Sequence, residues 1–491
     1  MTDFLDLTDL AAERLGGRAI AANDEFFAEK ENLLKEAVPV WREGEYTDRG
    51  KWMDGWETRR RREPGHDWCI VRLGAPGVVH GVVIDTAYFT GNFPESCSLE
   101  GCAAPAGAGA AELAAATWRE LVPRSPLAGD QRNVFAVDSA DRTSHVRLNI
   151  FPDGGVARLR VHGQALPDWS ALPDRIDLAS ALHGARIADC SDRFYSHPQH
   201  LLLPDAPRGM FDGWETKRRR GPGHDWVIVR LATEGEIEEV EVDTSHFKGN
   251  APGWFSLEVA ASEAAADGAW REIVPRTALK PHDRRVFAVA QPLAAVAARF
   301  NVYPDGGVAR LRLRGRPTAE GRRRATLQWL AAAPPEEAGA AFAACCGSAR
   351  WVARMTASRP FADAGAIHAA AARVFAELAD ADWLEAFTAH PALGQRAGDD
   401  GRAAAWSAGE QAGTKAADEP TLARLAEANR RYRERFGFTF ILCASGRGAD
   451  QMLAACEARL GSSPDEELRT AAGEQRQITR LRLDKLLGGQ R

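Results

Sequence analysis

Hydrophobic and polar positions along the first two thirds of the chain follow a period of two. Ile237-Glu238-Glu239-Val240-Glu241-Val242-Asp243 alternates near its end, as a strand with one face in a core does. Val156-Ala157-Arg158-Leu159-Arg160-Val161 and Val308-Ala309-Arg310-Leu311-Arg312-Leu313 predict strands with arginines outward and Leu or Val inward. Trp226-Val227-Ile228-Val229-Arg230-Leu231 is a β-branched run suited to a sandwich core. Pro152-Asp153-Gly154-Gly155 and Pro304-Asp305-Gly306-Gly307 predict tight turns in which glycine supplies a positive φ. Short strands separated by turns predict an antiparallel sandwich or jelly roll.

The period changes after Gly315. Arg316 to Arg324 is polar and reads as a linker. Beyond it Pro334-Pro335-Glu336-Glu337 predicts a helix start, with acids where the helix dipole favours them. Helices are expected over Ile367–Leu378, from Glu419-Pro420 through Asn429, over Ala449–Leu460 and over Pro464–Leu487, making an all-α module.

The β region is duplicated. Asp54, His66, Asp85 and Gly91 recur as Asp212, His224, Asp243 and Gly249 at one offset. Trp118, Phe135 and Pro152 recur as Trp270, Phe287 and Pro304 at a slightly shorter one, so a loop of the first copy is longer. Each unit is the size of a domain and too long for a solenoid repeat.

Composition adds bounds. A chain of 491 residues is too long for one core. A net charge of -6 gives no reason to expect nucleic acid or an anionic membrane as partner. The eight cysteines form no C-x-x-C pair and most sit in apolar surroundings, which fits buried thiols in a reducing cytoplasm. The N-terminus lacks a basic stretch followed by an apolar one, so no secretory leader is expected. No run of apolar residues reaches membrane-spanning length.

The polar stretch carrying candidate chemistry reads Asp54-Gly55-Trp56-Glu57-Thr58-Arg59-Arg60-Arg61-Arg62, then Gly65-His66-Asp67-Trp68, and returns as Asp212 to Arg220 and Gly223-His224-Asp225-Trp226. Two carboxylates beside a histidine can do acid–base work or hold a metal. Equally, such residues can satisfy one another in a hydrogen-bonded loop, with the tryptophan plugging the barrel mouth. The basic runs suit a solvated face, or a clamp on a small carboxylate, better than nucleic acid. In the helical module Pro391 biases His390 away from helix and predicts an imidazole at a helix end facing a cleft. Ser407-Ala408-Gly409-Glu410-Gln411, Phe436-Gly437-Phe438-Thr439-Phe440-Ile441 and Ile478 to Leu483 are each odd for a core helix.

Arg359-Pro360-Phe361, His390-Pro391-Ala392-Leu393-Gly394, Ser407-x-x-Glu410-Gln411, Phe438-x-Phe440-Ile441-Leu442-Cys443-Ala444 and Leu481-Arg482-Leu483 together resemble the 2-oxo-4-hydroxy-4-carboxy-5-ureidoimidazoline (OHCU) decarboxylases. The resemblance implies an all-α, cofactor-free enzyme making (S)-allantoin. It implies catalytic roles for His390, Glu410 and Arg482, with substrate contacts at Pro391, Ser407, Gln411 and the backbone of Phe440, Ile441, Leu442, Cys443 and Ala444. The Asp-Gly-Trp-Glu-Thr and Gly-His-Asp-Trp motifs, with Gly91-Asn92 and Gly249-Asn250, resemble allantoicase, a duplicated jelly roll that hydrolyses allantoate to (S)-ureidoglycolate and urea.

The expected architecture is two antiparallel β jelly rolls of galactose-binding-like type in tandem, then an all-α domain. The expected bounds are 1–166, 167–316, a linker at 317–325, and 326–491. The hydrolase candidates are Asp54, Glu57, His66 and Asp67 with Asp212, Glu215, His224 and Asp225; a metal there is left open. The alternative is an active decarboxylase beside a non-catalytic ligand-binding or scaffolding β pair. The expected partners are small ureides, with neither nucleic acid nor membrane, in a cytoplasmic protein that can assemble with itself.

Overall fold

The computed structural model describes residues 4–105, 107–265, 269–390, 406 and 419–488. The chain forms two compact units, Met1–Gly321 and Arg322–Arg491, each with its own core.

The first unit holds two copies of one antiparallel β-sandwich. In the first copy the strands are β1 (Thr8–Asp9), β2 (Arg18–Ala22), β3 (Asp67–Asp85), β4 (Ser96–Cys102), β5 (Arg119–Pro126), β6 (Arg132–Ala136), β7 (Arg142–Phe151) and β8 (Arg158–Ala165). Their order is β1-β8-β3-β7-β4-β5, with β2 and β6 also on β3. The long β3 joins the layers. Its start pairs with β2 and β7, and its end pairs with β8 and β6.

The second copy repeats this with β9 (Ile176–Asp177), β10 (Arg186–Cys190), β11 (Asp225–Asp243), β12 (Trp254–Ala260), β13 (Arg271–Ala278), β14 (Arg284–Ala288), β15 (Ala294–Tyr303) and β16 (Arg310–Pro317). Cys69, Val71, Val82, Ile84, Leu99, Val146, Leu148 and Leu159 fill the first core, as alternate residues of paired strands must when one face is apolar.

Trp56 and Trp214 are fully buried, and each donates its indole N–H to a loop carbonyl, of Asp24 and Asp192 respectively, at 2.8 Å. The repeated motif therefore runs along the end of each sandwich with its tryptophan driven into the core. Short strands Trp56–Glu57 and Trp214–Glu215 pair with Gly155–Val156 and Gly307–Val308, tying the motif to the Pro-Asp-Gly-Gly turns.

Two expectations give way here. Arg158 and Arg310 point inward: each is 2% exposed. The alternation placed them outside, but each meets a buried carboxylate from the repeated motif, which offsets the cost of burial. The stretch expected as a linker, 317–325, instead holds the last residue of β16 and the start of helix α1 (Ala319–Ala332). Ala, Glu, Arg and Leu are good helix formers, and the Thr318 hydroxyl accepts the Gly321 N–H as an N-cap does.

The second unit continues with α2 (Pro335–Cys345), α3 (Ala349–Ala357), α4 (Ala364–Ala376), α5 (Asp380–Thr388), α6 (Glu419–Phe436), α7 (Ala449–Arg459) and α8 (Pro464–Leu486). Proline and acids open α2 and α8, and Ser463 with Glu466 forms a capping box on α8. Arg359 donates to the Leu330 and Ala333 carbonyls at 2.6 and 2.7 Å, satisfying the C-terminal end of α1. All eight cysteines are free, and seven are buried. Burial pushes the Cys346 and Cys456 thiols up to about 11. Among the described residues no helix is long and apolar enough to cross a membrane.

Candidate active sites

In the helical unit three chain segments meet around one apolar cluster. Phe387 of α5, Ile441 and Cys443 of the stretch after α6, and Ala471, Ile478 and Leu481 of α8 pack together. His390 lies just past the end of α5, its N–H bonded to the Phe387 carbonyl at 3.1 Å. Phe440, Ile441, Leu442, Cys443 and Ala444 are all buried. Arg482 is 3% exposed and donates to the Ala344 carbonyl at 3.4 Å. Pro391, Ser407, Glu410 and Gln411 lie outside the described residues.

The Phe440–Ala444 backbone is held by polar groups that the motifs did not single out. Arg459 donates to the Ile441 carbonyl at 2.9 Å, and the Cys443 N–H donates to Glu474 at 2.7 Å. Arg459 is fixed by the fully buried Glu467, which also accepts from the Tyr432 hydroxyl. Burial, reinforced by Glu467, pushes the Tyr432 phenol far up, so it stays a donor. A charged Arg and Glu eight positions apart at a helix junction were the available sequence signal.

In the β unit the structure distributes the four candidates of each copy among different partners. Asp54 accepts from Arg158 at 2.8 Å and from the Val40 N–H at 3.0 Å, and these bonds outweigh burial and hold its carboxyl below the usual range. Asp212 accepts from Arg310 at 3.1 Å, from the Arg208 N–H at 2.9 Å and from Arg14 of the first copy at 2.5 Å. Burial opposes these bonds, yet they bring Asp212 down to about 2. Asp205 accepts from Arg14 and Arg310, and Glu36 pairs with Arg14 and Arg208, so this ion network staples the two copies together.

Asp67 accepts from Arg61 at 2.6 Å and Asn23 at 2.9 Å; Asp225 accepts from Arg219 and from Ser191 at 3.1 Å. Glu57 and Glu215 each take an amide N–H, from Asn92 at 2.7 Å and Asn250 at 2.6 Å. Burial pushes the Glu57 carboxyl up against that bond. His66 stacks on Phe151 with ring centroids 4.8 Å apart, and His224 on Tyr303 at 4.6 Å. Arg124 and Arg276 cover those aromatic rings. His224 also donates to Asn301 at 3.2 Å.

A cavity of 790 Å³ opens where the copies meet, lined by Arg14, Arg160, His162, His197, His200 and Phe211 among others. Burial pushes the His197 and His200 imidazoles down, toward their neutral form. Among the described residues no group of three or more His, Cys, Asp or Glu is arranged to hold a metal ion.

Twin β-sandwiches with mirrored polar ends, followed by a helical bundle with a buried Arg and a helix-end His, define a protein of two enzyme-like modules. The chain belongs to the allantoicase family, whose repeat matches residues 8–166 and again 176–318, and it carries an OHCU decarboxylase region over residues 331–484. A probable allantoicase of Nocardia farcinica is 51% identical over 320 residues, covering 64% of this chain and 95% of that protein. The crystal structure of a Saccharomyces cerevisiae allantoicase matches with a TM-score of 0.55 at 34% identity, covering 63% of this chain and 92% of that one. A solved OHCU decarboxylase with (S)-allantoin present is 36% identical, with a TM-score of 0.27 over 30% of this chain and 96% of its own.

Proposed function

We infer that this chain is a bifunctional ureide enzyme. One module hydrolyses allantoate to (S)-ureidoglycolate and urea. The other decarboxylates 2-oxo-4-hydroxy-4-carboxy-5-ureidoimidazoline to (S)-allantoin. The observation that carries this is the match of both repeats of the first family and of the second family to successive stretches of one chain. We place the domain bounds at 1–166, 167–316 and 326–491, joined through 317–325, where β16 ends and α1 begins.

Decarboxylation leaves an electron pair that the substrate's own imidazoline ring can accept. The protein must hold the carboxylate in a poorly solvated place and deliver one proton to one face. We assign the proton to His390, orientation of substrate N–H or O–H groups to Glu410, and an anionic substituent to Arg482. Pro391, Ser407, Gln411 and the Phe440–Ala444 backbone make the remaining contacts. The cluster joining Phe387, Ile441 and Ile478 supports this, because it draws the elements carrying His390 and Arg482 to the same buried segment.

Allantoate bears one carboxylate and two ureido arms on one carbon. Losing urea requires a base for water and an acid for the departing nitrogen. The arginine runs would pair the carboxylate, and Glu57, His66 and Asp67 or Glu215, His224 and Asp225 supply polar contacts. Asp54 and Asp212, clamped by Arg158 and Arg310, would hold the frame. The test is to incubate the purified chain with allantoate and, separately, with the imidazoline. Urea in the first and carbon dioxide in the second are expected; absence of either removes that activity.

A further inference from the structure

The two β copies differ at one point of matched geometry. Among the described residues, four that are not glycine have left-handed backbones: Tyr88 (φ 67°) and Asp130 (53°) in the first copy, His246 (72°) and His282 (49°) in the second. They occupy equivalent places. The Tyr88 N–H donates to Asp130 Oδ1 at 2.7 Å, and the His246 N–H donates to His282 Nδ1 at 2.8 Å. Non-glycine residues held at positive φ are uncommon and gather at functional sites. Here the strained frame is common to both copies, and only the second equips it with imidazoles.

The hydrogen bonds fix both tautomers. His282 Nδ1 accepts, so its proton sits on Nε2. His246 Nε2 lies 3.0 Å from the Pro207 carbonyl, which can only accept, so Nε2 carries a proton and the neutral ring has its lone pair on Nδ1. The ring centroids are 6.0 Å apart. One ring thus offers a base and the other an acid. The loop that receives His246 continues into Met210, whose sulfur is 3.8 Å from the Asn250 amide that holds Glu215. The pair therefore belongs to the motif end of the second sandwich.

We propose that His246 and His282 are the acid–base pair of allantoate hydrolysis and that the second copy holds the working site, a reading that rests on the hydrolase activity inferred above. Water gives its oxygen to the central carbon of allantoate and one proton to His246 Nδ1. The bond from that carbon to one ureido nitrogen breaks, the electron pair staying on nitrogen. That nitrogen takes the proton from His282 Nε2 and leaves as urea. The step leaves His246 as an imidazolium and His282 short of its Nε2 proton; solvent takes the proton from His246 Nδ1 and returns one to His282 Nε2, which closes the cycle. The first copy, with a phenol and a carboxylate at these places, serves as a scaffold.

The structure also supplies its own controls, since the first copy proves that Tyr and Asp tolerate these backbones. His246→Tyr and His282→Asp are each expected to cut kcat for urea release about a hundredfold or more. Folding by circular dichroism and the decarboxylase rate should be unchanged, and Tyr88→Phe should release urea at the wild-type rate. If either swap fails to fold, His246→Asn and His282→Asn take its place, since Asn tolerates positive φ and still offers an acceptor at 282. A folded variant within about threefold of wild type overturns the proposal. So does a first-copy variant that alone abolishes urea release. A wild-type chain that releases no urea ends the hydrolase reading as well; a working wild-type with working swaps ends only this one.

Discussion

At the scale of single residues, the buried ion pairs decide more than the motif's acid–base appearance suggests. Asp212 at about 2 is depressed relative to its ordinary value of 3.8 by Arg14, Arg310 and the Arg208 N–H. A depressed carboxylate stabilises the fold fully above its unfolded pKa, and that stability is lost as pH falls through the folded value. The shift corresponds to about 2 kcal/mol at neutral pH, vanishing between about pH 4 and pH 2. Acid titration followed by circular dichroism should therefore show the wild-type β unit weakening in that window. Asp212→Asn should be weaker by about 2 kcal/mol at pH 7, because Arg14 and Arg310 lose their most buried carboxylate and keep only Asp205 and Glu36 to offset their charge, and should show less of the acid-dependent loss. A variant as stable as wild type at pH 7 would show that the network contributes nothing. His390 carries a different expectation. His390→Asn should abolish decarboxylation, leaving helix content and urea release intact, as assays of both products on the same preparation would check.

At the scale of elements, the turn of Asp153 and Gly154 shows how tightly the motif is bound. Gly154 has φ of 138°, and a Cβ there would lie 2.7 Å from the Pro94 nitrogen and 2.8 Å from the Asn92 carbonyl oxygen. Asn92 also holds Glu57. Gly154→Ala should cost about 2 kcal/mol or more in thermal unfolding and, as a first-copy change, spare urea release at temperatures where the protein stays folded. In the helical unit, Arg459→Met should leave Glu467 buried without its cation, lowering stability by about 3 kcal/mol. It should also raise KM for decarboxylation, by freeing the Ile441 carbonyl. Much of this architecture was legible in the chain. Pro335 and Pro464 with the acids after them marked helix starts because dipole and capping act locally. The buried tryptophans and the duplicated strands were visible as pattern. Arg158 was misread because a period of two reports which face a residue takes, not whether Asp54, distant in sequence, waits there. Arg459, Glu467 and Tyr432 escaped notice for the same reason, since their meaning lies in contacts across the fold. His246 and His282 stand out only once their backbone angles are known.

At the scale of the whole chain, the two activities do not connect directly. Decarboxylation of the imidazoline yields allantoin, a closed ring. The hydrolase substrate, allantoate, is the same skeleton with one ring amide opened by water. The residues proposed for decarboxylation and those proposed for hydrolysis fall in separate compact units, and neither proposed set includes a group for that opening. The reaction that separates them is the hydrolysis of a cyclic amide. Supplied with the imidazoline alone, the purified chain should accumulate allantoin stoichiometrically and release no urea. Adding an enzyme that opens the allantoin ring should start urea release after a lag, because allantoate must first build up in solution. The His390→Asn chain given the same mixture should release none, yet respond at once to added allantoate. Urea appearing from the imidazoline without the added enzyme would mean that this chain also opens the ring, and the division of labour drawn here would be wrong.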